Sequence, residues 1–260
     1  MKIAISGKGG GGKTTLAALL ARLLARQGSR VVAVDADPDA NLGEALGFTP
    51  AELGRVVPIG RMRELIEERT GAVPGEPGQL FALDPRVDDL PERLWVERDG
   101  VRLLVMGGVR GGGAGCACPE NSLLRNLLRH LVVDRDEPVI VDLEAGLETL
   151  GRGTARHVDA LLVVVEPGRR SFSTAREVGR LAADLGLRQV LAVANKVRPA
   201  DEAAVVAGVR DIAGLPLLGC LPYDPAVAAA DLQGLPVALS PALTDAAALI
   251  ARRLGDLLGA

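Results

Sequence analysis

Aromatic side chains make up only 2% of the 260 residues, with one tryptophan, one tyrosine and three phenylalanines. That is too few to furnish the stacking platforms on which single-stranded nucleic acid is bound. Cysteine is nearly as scarce: of three residues, two are separated by a single position, so no disulfide framework is expected and a reducing cytoplasm is the expected compartment. No apolar run reaches the length of a membrane span, and the chain opens on a strand-like run, so neither membrane association nor export is expected. A net charge of −3 supplies no basic field to draw in nucleic acid. Lysine is rare too. Only Lys2, Lys8, Lys13 and Lys196 occur among 30 basic residues, so arginine is the default cation, yet two of the four lysines fall in one loop.

What is present is an alternation of apolar runs and helical patterns. Strands are expected over Lys2–Ser6, Arg30–Asp35, Arg102–Met106, Pro138–Asp142, Ala160–Glu166, Val190–Asn195 and Leu217–Leu221. Helices are expected over Lys13–Gln27, Met62–Arg69, Pro119–Leu131, Ser173–Leu185, Ala200–Ile212 and Pro241–Leu258. Most of the strand runs are continuously apolar, as in strands buried on both faces of a parallel sheet. The pattern predicts an α/β fold with one doubly wound, mostly parallel sheet and helices on both faces, with ligands at the carboxyl ends of the strands. Without internal repeat or linker, 1–260 is expected to be a single domain. Arg98-Asp99-Gly100 reads as a hairpin turn, while residues 50–92 carry little pattern beyond one short helix. On the final helix, Leu243, Ala247, Ile250, Leu254 and Leu257 are expected to share one packed face.

The run GKGGGGKTT, residues 7–15, lies between the first strand and the first helix. That context makes a G-x-x-x-x-G-K-[ST] match a phosphate-binding loop. Gly9, Gly10, Gly11 and Gly12 let backbone N–H groups curl round phosphate, and the helix dipole favours the anion. Lys13 is expected at the β- and γ-phosphates, with Thr14 on Mg²⁺ and Thr15 beside it. The second strand runs into Asp35-Ala36-Asp37, placing one carboxylate for water-mediated contact with Mg²⁺ and a second, Asp37, to position the attacking water. Apolar residues leading to Asp142 form the Walker B pattern for the same cation, and Gly146 offers an N–H to the γ-phosphate. Asn195-Lys196 ends a strand as a base-reading pair would. Guanine recognition needs a carboxylate at position 198, but Arg198 accepts no hydrogen bond, so ATP and ADP are the expected nucleotides, with Asn195, Pro222 and Asp224 beside the base.

With Lys8 at its front, the loop resembles the deviant P-loop of the MinD, ParA, nitrogenase iron protein and ArsA superfamily. The resemblance implies that Lys8 crosses a dimer interface to the partner's nucleotide. A glycine-rich stretch then leads to Cys116-Ala117-Cys118-Pro119, with proline at its favoured first helical position. The helix dipole at Cys118 favours thiolate. Two thiolates fill half of a tetrahedral shell, and a twofold dimer would complete it. Taken together, GKGGGGKTT, DADPDAN, GCACPENSLLR, DLEAGLETLGRGTA and LPYD resemble the CooC-type ATPases, nickel-insertion accessory proteins of carbon monoxide dehydrogenase. That resemblance implies ATP hydrolysis, a homodimer formed on ATP or metal binding, Ni²⁺ or Zn²⁺ on Cys116 and Cys118, and a client nickel enzyme. Glu144 fits this narrower group but departs from the wider superfamily.

Two other readings compete. An iron–sulfur reductase like the nitrogenase iron protein would bridge a cluster between protomers, but its cysteines lie on separate loops, and Cys220 is expected to be buried. A ParA- or MinD-like positioning ATPase would need a basic patch or a lysine-rich amphipathic tail, and neither is present.

Overall fold

The computed structural model describes residues 1–76, 78–107, 119–147, 150 and 154–259. Cys116 and Cys118 lie outside the described residues.

One sheet of eight strands organises the chain. In chain order these are β1 (Lys2–Gly7), β2 (Val31–Ala36), β3 (Val96–Arg98), β4 (Val101–Val105), β5 (Val139–Leu143), β6 (Ala160–Val165), β7 (Val190–Val197) and β8 (Leu217–Pro222). Their spatial order is β3-β4-β2-β5-β1-β6-β7-β8. All neighbours run parallel except the β3–β4 hairpin, so the doubly wound α/β fold expected from the alternation is the fold observed. The hairpin turns on Asp99 (φ 49°) and Gly100 (φ 79°), the paired left-handed residues that match strand twist in a two-residue turn.

Alternate residues of each strand feed two cores. On one face Ala4, Val32, Leu104, Val141 and Val163 pack against α6 (Pro119–Val133) and α7 (Arg169–Leu185). On the other, Ile3, Ile5, Val31, Ile140 and Leu162 meet α1 (Lys13–Arg26) and α10 (Pro241–Leu258). Burial on both sides explains why the strand runs read as continuously apolar. Among the described residues no helix is long and apolar enough to cross a membrane.

Several expectations shift. The segment 50–92 holds not one helix but α3 (Pro50–Leu53), α4 (Arg63–Thr70) and α5 (Leu90–Leu94), preceded by α2 (Leu42–Leu46). The helix expected over Ala200–Ile212 is α8 (Glu202–Gly208), continuing into a π turn at Val209–Ala213. A further helix, α9 (Pro225–Leu232), follows β8. On α10 the packed face is Leu243, Ala247, Ile250 and Leu254, but Leu257 is 52% exposed. Leu258, four residues beyond Leu254, turns to the core in its place. Cys220 is half-buried rather than buried, a free thiol whose pKa burial pushes up.

Candidate functional site

β1 delivers the glycine loop and α1 receives it. Gly7 has φ 144°, and a Cβ there would stand 2.5 Å from the Val164 carbonyl oxygen, so only glycine lets the chain turn off the sheet at this point. Gly12 caps α1 in the left-handed region (φ 92°), with no side-chain cap and no acidic residue in the first turn. The helix thus caps its own N-terminal N–H groups with neither a side chain nor a carboxylate of its first turn, which leaves its positive dipole end for an anion.

A cleft of about 520 Å³ opens over this loop. Gly9, Gly10, Gly12, Lys13, Thr14, Thr15, Asp37, Asn195, Pro222 and Asp224 all line it, so the fold brings together most residues singled out in the sequence. Three stand apart. Gly11 is buried beneath the loop, its carbonyl accepting from the Asn195 side-chain amide at 3.0 Å. Gly146 is not on the cleft wall; its carbonyl accepts from the Ser6 hydroxyl at 3.0 Å, tying the end of β5 to β1. Lys8 is exposed and outside the cleft of its own chain.

Under the loop, Asp35 and Asp142 are paired residues of adjacent strands, 0% and 1% exposed. Burial beside Asp142 pushes Asp35 up to about 7. Both of its oxygens nonetheless have partners, accepting from the backbone N–H of Leu42 at 2.8 Å and of Asp37 at 3.2 Å. Asp35 thus pins the 37–42 loop against the cleft. Burial likewise lifts Asp142 to about 6, opposed by the Thr14 hydroxyl and the Lys13 ammonium. Thr14 donates to Asp142 Oδ2 at 2.6 Å, while Asp142 Oδ1 is buried with no hydrogen-bond partner among the described residues. A hydroxyl and an unsatisfied buried carboxylate, side by side under a phosphate loop, are the donor set that suits Mg²⁺. Among the described residues no cluster of three or more His, Cys, Asp or Glu is placed to hold a metal.

At the far rim, the Arg198 guanidinium stacks on the Tyr223 ring, 4.5 Å from its centroid. The Asp224 carboxylate accepts from Ala226 N–H at 2.9 Å and caps α9. Val227, Asp231 and Leu235, on α9 and just beyond it, form a wall the sequence reading missed, as it missed that helix. Glu166 was missed too, and Lys196, expected with Asn195 at the base, instead contacts the loop and that carboxylate. Lys196 Nζ donates to Gly10 O at 2.8 Å and to Glu166 Oε1 at 2.6 Å. The scarcity of lysine that drew attention to Lys8 was a signal for Lys196 as well.

Comparison with known proteins fits this geometry. A family model for the CobQ/CobB/MinD/ParA nucleotide binding domain matches residues 2–237. The carbon monoxide dehydrogenase accessory protein CooC of Rhodospirillum rubrum is 46% identical over 260 residues, 100% of this chain and 98% of that protein. An uncharacterised ATP-binding protein of Methanocaldococcus jannaschii is 44% identical over 239 residues, 92% of this chain and 91% of that one. Among solved structures, the MinD cell division protein of Aquifex aeolicus superposes with a TM-score of 0.70 at 23% identity, covering 98% and 97% of the two chains, a likeness of fold.

Proposed function

This chain belongs to the CobQ/CobB/MinD/ParA nucleotide-binding family as a CooC-type member, and from that premise we propose that it is a Mg²⁺-dependent ATPase working as a dimeric metallochaperone. In this reading Cys116 and Cys118 hold Ni²⁺ or Zn²⁺ between two protomers. Nickel is then passed to carbon monoxide dehydrogenase or a related nickel enzyme. The observation that carries the proposal is the 46% identity to the CooC protein over essentially the whole of both chains.

The site residues supply the chemistry in this reading. The amides of the glycine loop and of the first turn of α1 bind the phosphates, and Lys13 neutralises charge that grows on the β–γ bridging oxygen. Thr14 and Asp142 would hold Mg²⁺, whose bound form offsets further phosphate charge. Asp37, on the cleft wall, orients water in line with the γ-phosphate and accepts its proton. Lys8, exposed and outside the lining of its own cleft, reaches the nucleotide of the second protomer. Because Arg198 cannot accept from a guanine edge, adenine is the base.

Titrating Ni²⁺ and Zn²⁺ into ADP-loaded and ATP-loaded protein tests the coupling. One metal per dimer is expected, with affinity that differs between the two nucleotides, since linkage requires a difference if hydrolysis is to release metal. Binding is lost in Cys116→Ser and Cys118→Ser and kept in Cys220→Ser. Equal affinities with both nucleotides, or one metal per monomer that survives loss of both cysteines, would rule the mechanism out.

A further inference from the structure

The carboxyl end of β7 departs from regular strand geometry. Ala194 pairs with Cys220 and Val197 with Pro222, so Asn195 and Lys196 together face the single residue Leu221. Lys196 takes a left-handed φ of 57°, one of three non-glycine residues with positive φ among the described residues. In an uninterrupted strand, consecutive side chains point to opposite faces. The bulge lets both reach the same glycine loop. Asn195 Nδ2 donates to Gly11 O at 3.0 Å, Lys196 Nζ donates to Gly10 O at 2.8 Å, and Asn195 Oδ1 accepts from Lys196 N–H at 2.9 Å.

The ammonium has a second partner, Glu166, which follows β6 at 2.6 Å and whose own backbone N–H is held by Ser171 Oγ at 2.9 Å. Strands β1, β6 and β7 are sheet neighbours, so one cation joins the carboxyl ends of three adjacent strands. In a trans peptide the C=O and N–H point opposite ways. Pulling the Gly11 carbonyl down toward Asn195 therefore turns the Gly12 N–H up toward the cleft. Pulling the Gly10 carbonyl toward Lys196 leaves Gly11 N–H on Lys8 O at 3.1 Å, the turn that shapes the loop.

We propose that Lys196 and Glu166, with Asn195, form a latch that positions the glycine loop for phosphate. Positive-φ backbone at a non-glycine residue persists only where its surroundings impose it, and here the return is a set amide direction. The latch rests on the nucleotide-binding reading of the cleft. It holds the backbone of the phosphate cradle rather than the reacting atoms, so its loss weakens binding more than it slows turnover.

The test uses Lys196→Met, Glu166→Gln and the double variant, each titrated with ADP and with GDP and assayed for ATP turnover. Lys196 and Glu166 are 46% and 29% exposed, so folding is expected to survive, and Lys196→Arg provides a charged control. Expected are a roughly tenfold weaker ADP affinity in Lys196→Met, the size of one lost charge-assisted hydrogen bond, partial rescue by Lys196→Arg, and a kcat at saturation that falls by less than the affinity does. GDP weakens by the same factor, so the ADP-to-GDP ratio is constant. Glu166→Gln weakens both nucleotides less, and the double variant matches Lys196→Met alone, as members of one unit do. A changed ADP-to-GDP ratio would assign the segment to base recognition and overturn the latch. So would wild-type affinity in Lys196→Met, or additive losses in the double variant. A wild-type protein that binds no nucleotide would instead overturn the reading of the cleft itself, and the latch with it.

Discussion

Oδ1 of Asp142 has no hydrogen-bond partner among the described residues, whereas both oxygens of the neighbouring Asp35 do. Residue type alone made both aspartates candidates for the cation. The difference between them depends on which backbone N–H groups reach each carboxylate, and that is set by the 37–42 loop in space. The same limit applied to Asn195. Its place after an apolar run suggested a position beside the base, and it does line the cleft, but its bond to Gly11 depends on a left-handed residue at 196 that no local pattern announces. Lys13, Thr14 and Asp37, by contrast, were legible because strand, glycine loop and helix fix their positions almost without help from the rest of the chain. Their roles divide cleanly by experiment. Lys13→Ala is expected to abolish ADP and ATP binding in calorimetric titration, since it removes the one buried ammonium on the cleft wall. Asp37→Ala is expected to bind ATP normally and to hydrolyse it about a hundredfold more slowly, the usual scale for a lost general base. Full turnover in Asp37→Ala would remove it from the reaction.

Among the elements, those with a strong period were found and those held by tertiary contacts were not. The parallel strands and α1, α6, α7 and α10 carry continuous or 3.6-residue apolar patterns. The four short helices between residues 42 and 94 are four, five or eight residues long, and α9 is a run of alanines and valines without polar alternation. Such segments are too short to be helical on propensity and owe their form to docking and caps, as where Thr49 and Glu52 cap α3 reciprocally. One inter-element knot has a measurable signature. Glu137, just before β5, pairs with Arg135 at 2.8 Å and Arg102 of β4 at 3.5 Å, while Arg102 lies over Trp95, 4.2 Å from the ring centroid. The Arg135 guanidinium, and then its charge and that of Arg102, hold the Glu137 carboxyl far below 4.5, at about 2. A carboxyl whose pKa is depressed by folding stabilises the native state above its unfolded value and loses that contribution as pH falls through the folded one. The window is therefore from about 4.5 down to about 2. Allowing for screening at a side chain one quarter exposed, the contribution is on the order of 1 kcal/mol. Urea midpoints should thus show wild type more stable than Glu137→Gln at pH 6, with the gap narrowing below about pH 4.5 and closing only near pH 2. A gap that holds constant across that range would mean the ion pairs contribute nothing.

For the molecule as a whole, the doubly wound parallel sheet followed from the alternation of runs, whereas the strand order is set by which strands pair in space. What the sequence left open is how two copies meet. An exposed Lys8, on a loop whose own cleft already contains Lys13, does not line that cleft. Sedimentation with ATP or a slowly hydrolysed analogue is expected to show a dimer, and Lys8→Ala to shift it toward monomer while leaving ADP affinity within about twofold. A chain that stays monomeric with every nucleotide and metal would end the case for a shared four-thiolate site. The central place of β1 has a consequence of another kind. Its two neighbours in the sheet are β5 and β6, which begin at Val139 and Ala160. During synthesis, at roughly 5–20 residues per second, the strand that carries the glycine loop is therefore made first and waits many seconds for both flanking strands. Until then both edges of that strand are unpaired, and the glycine loop exists before the strands that will flank it.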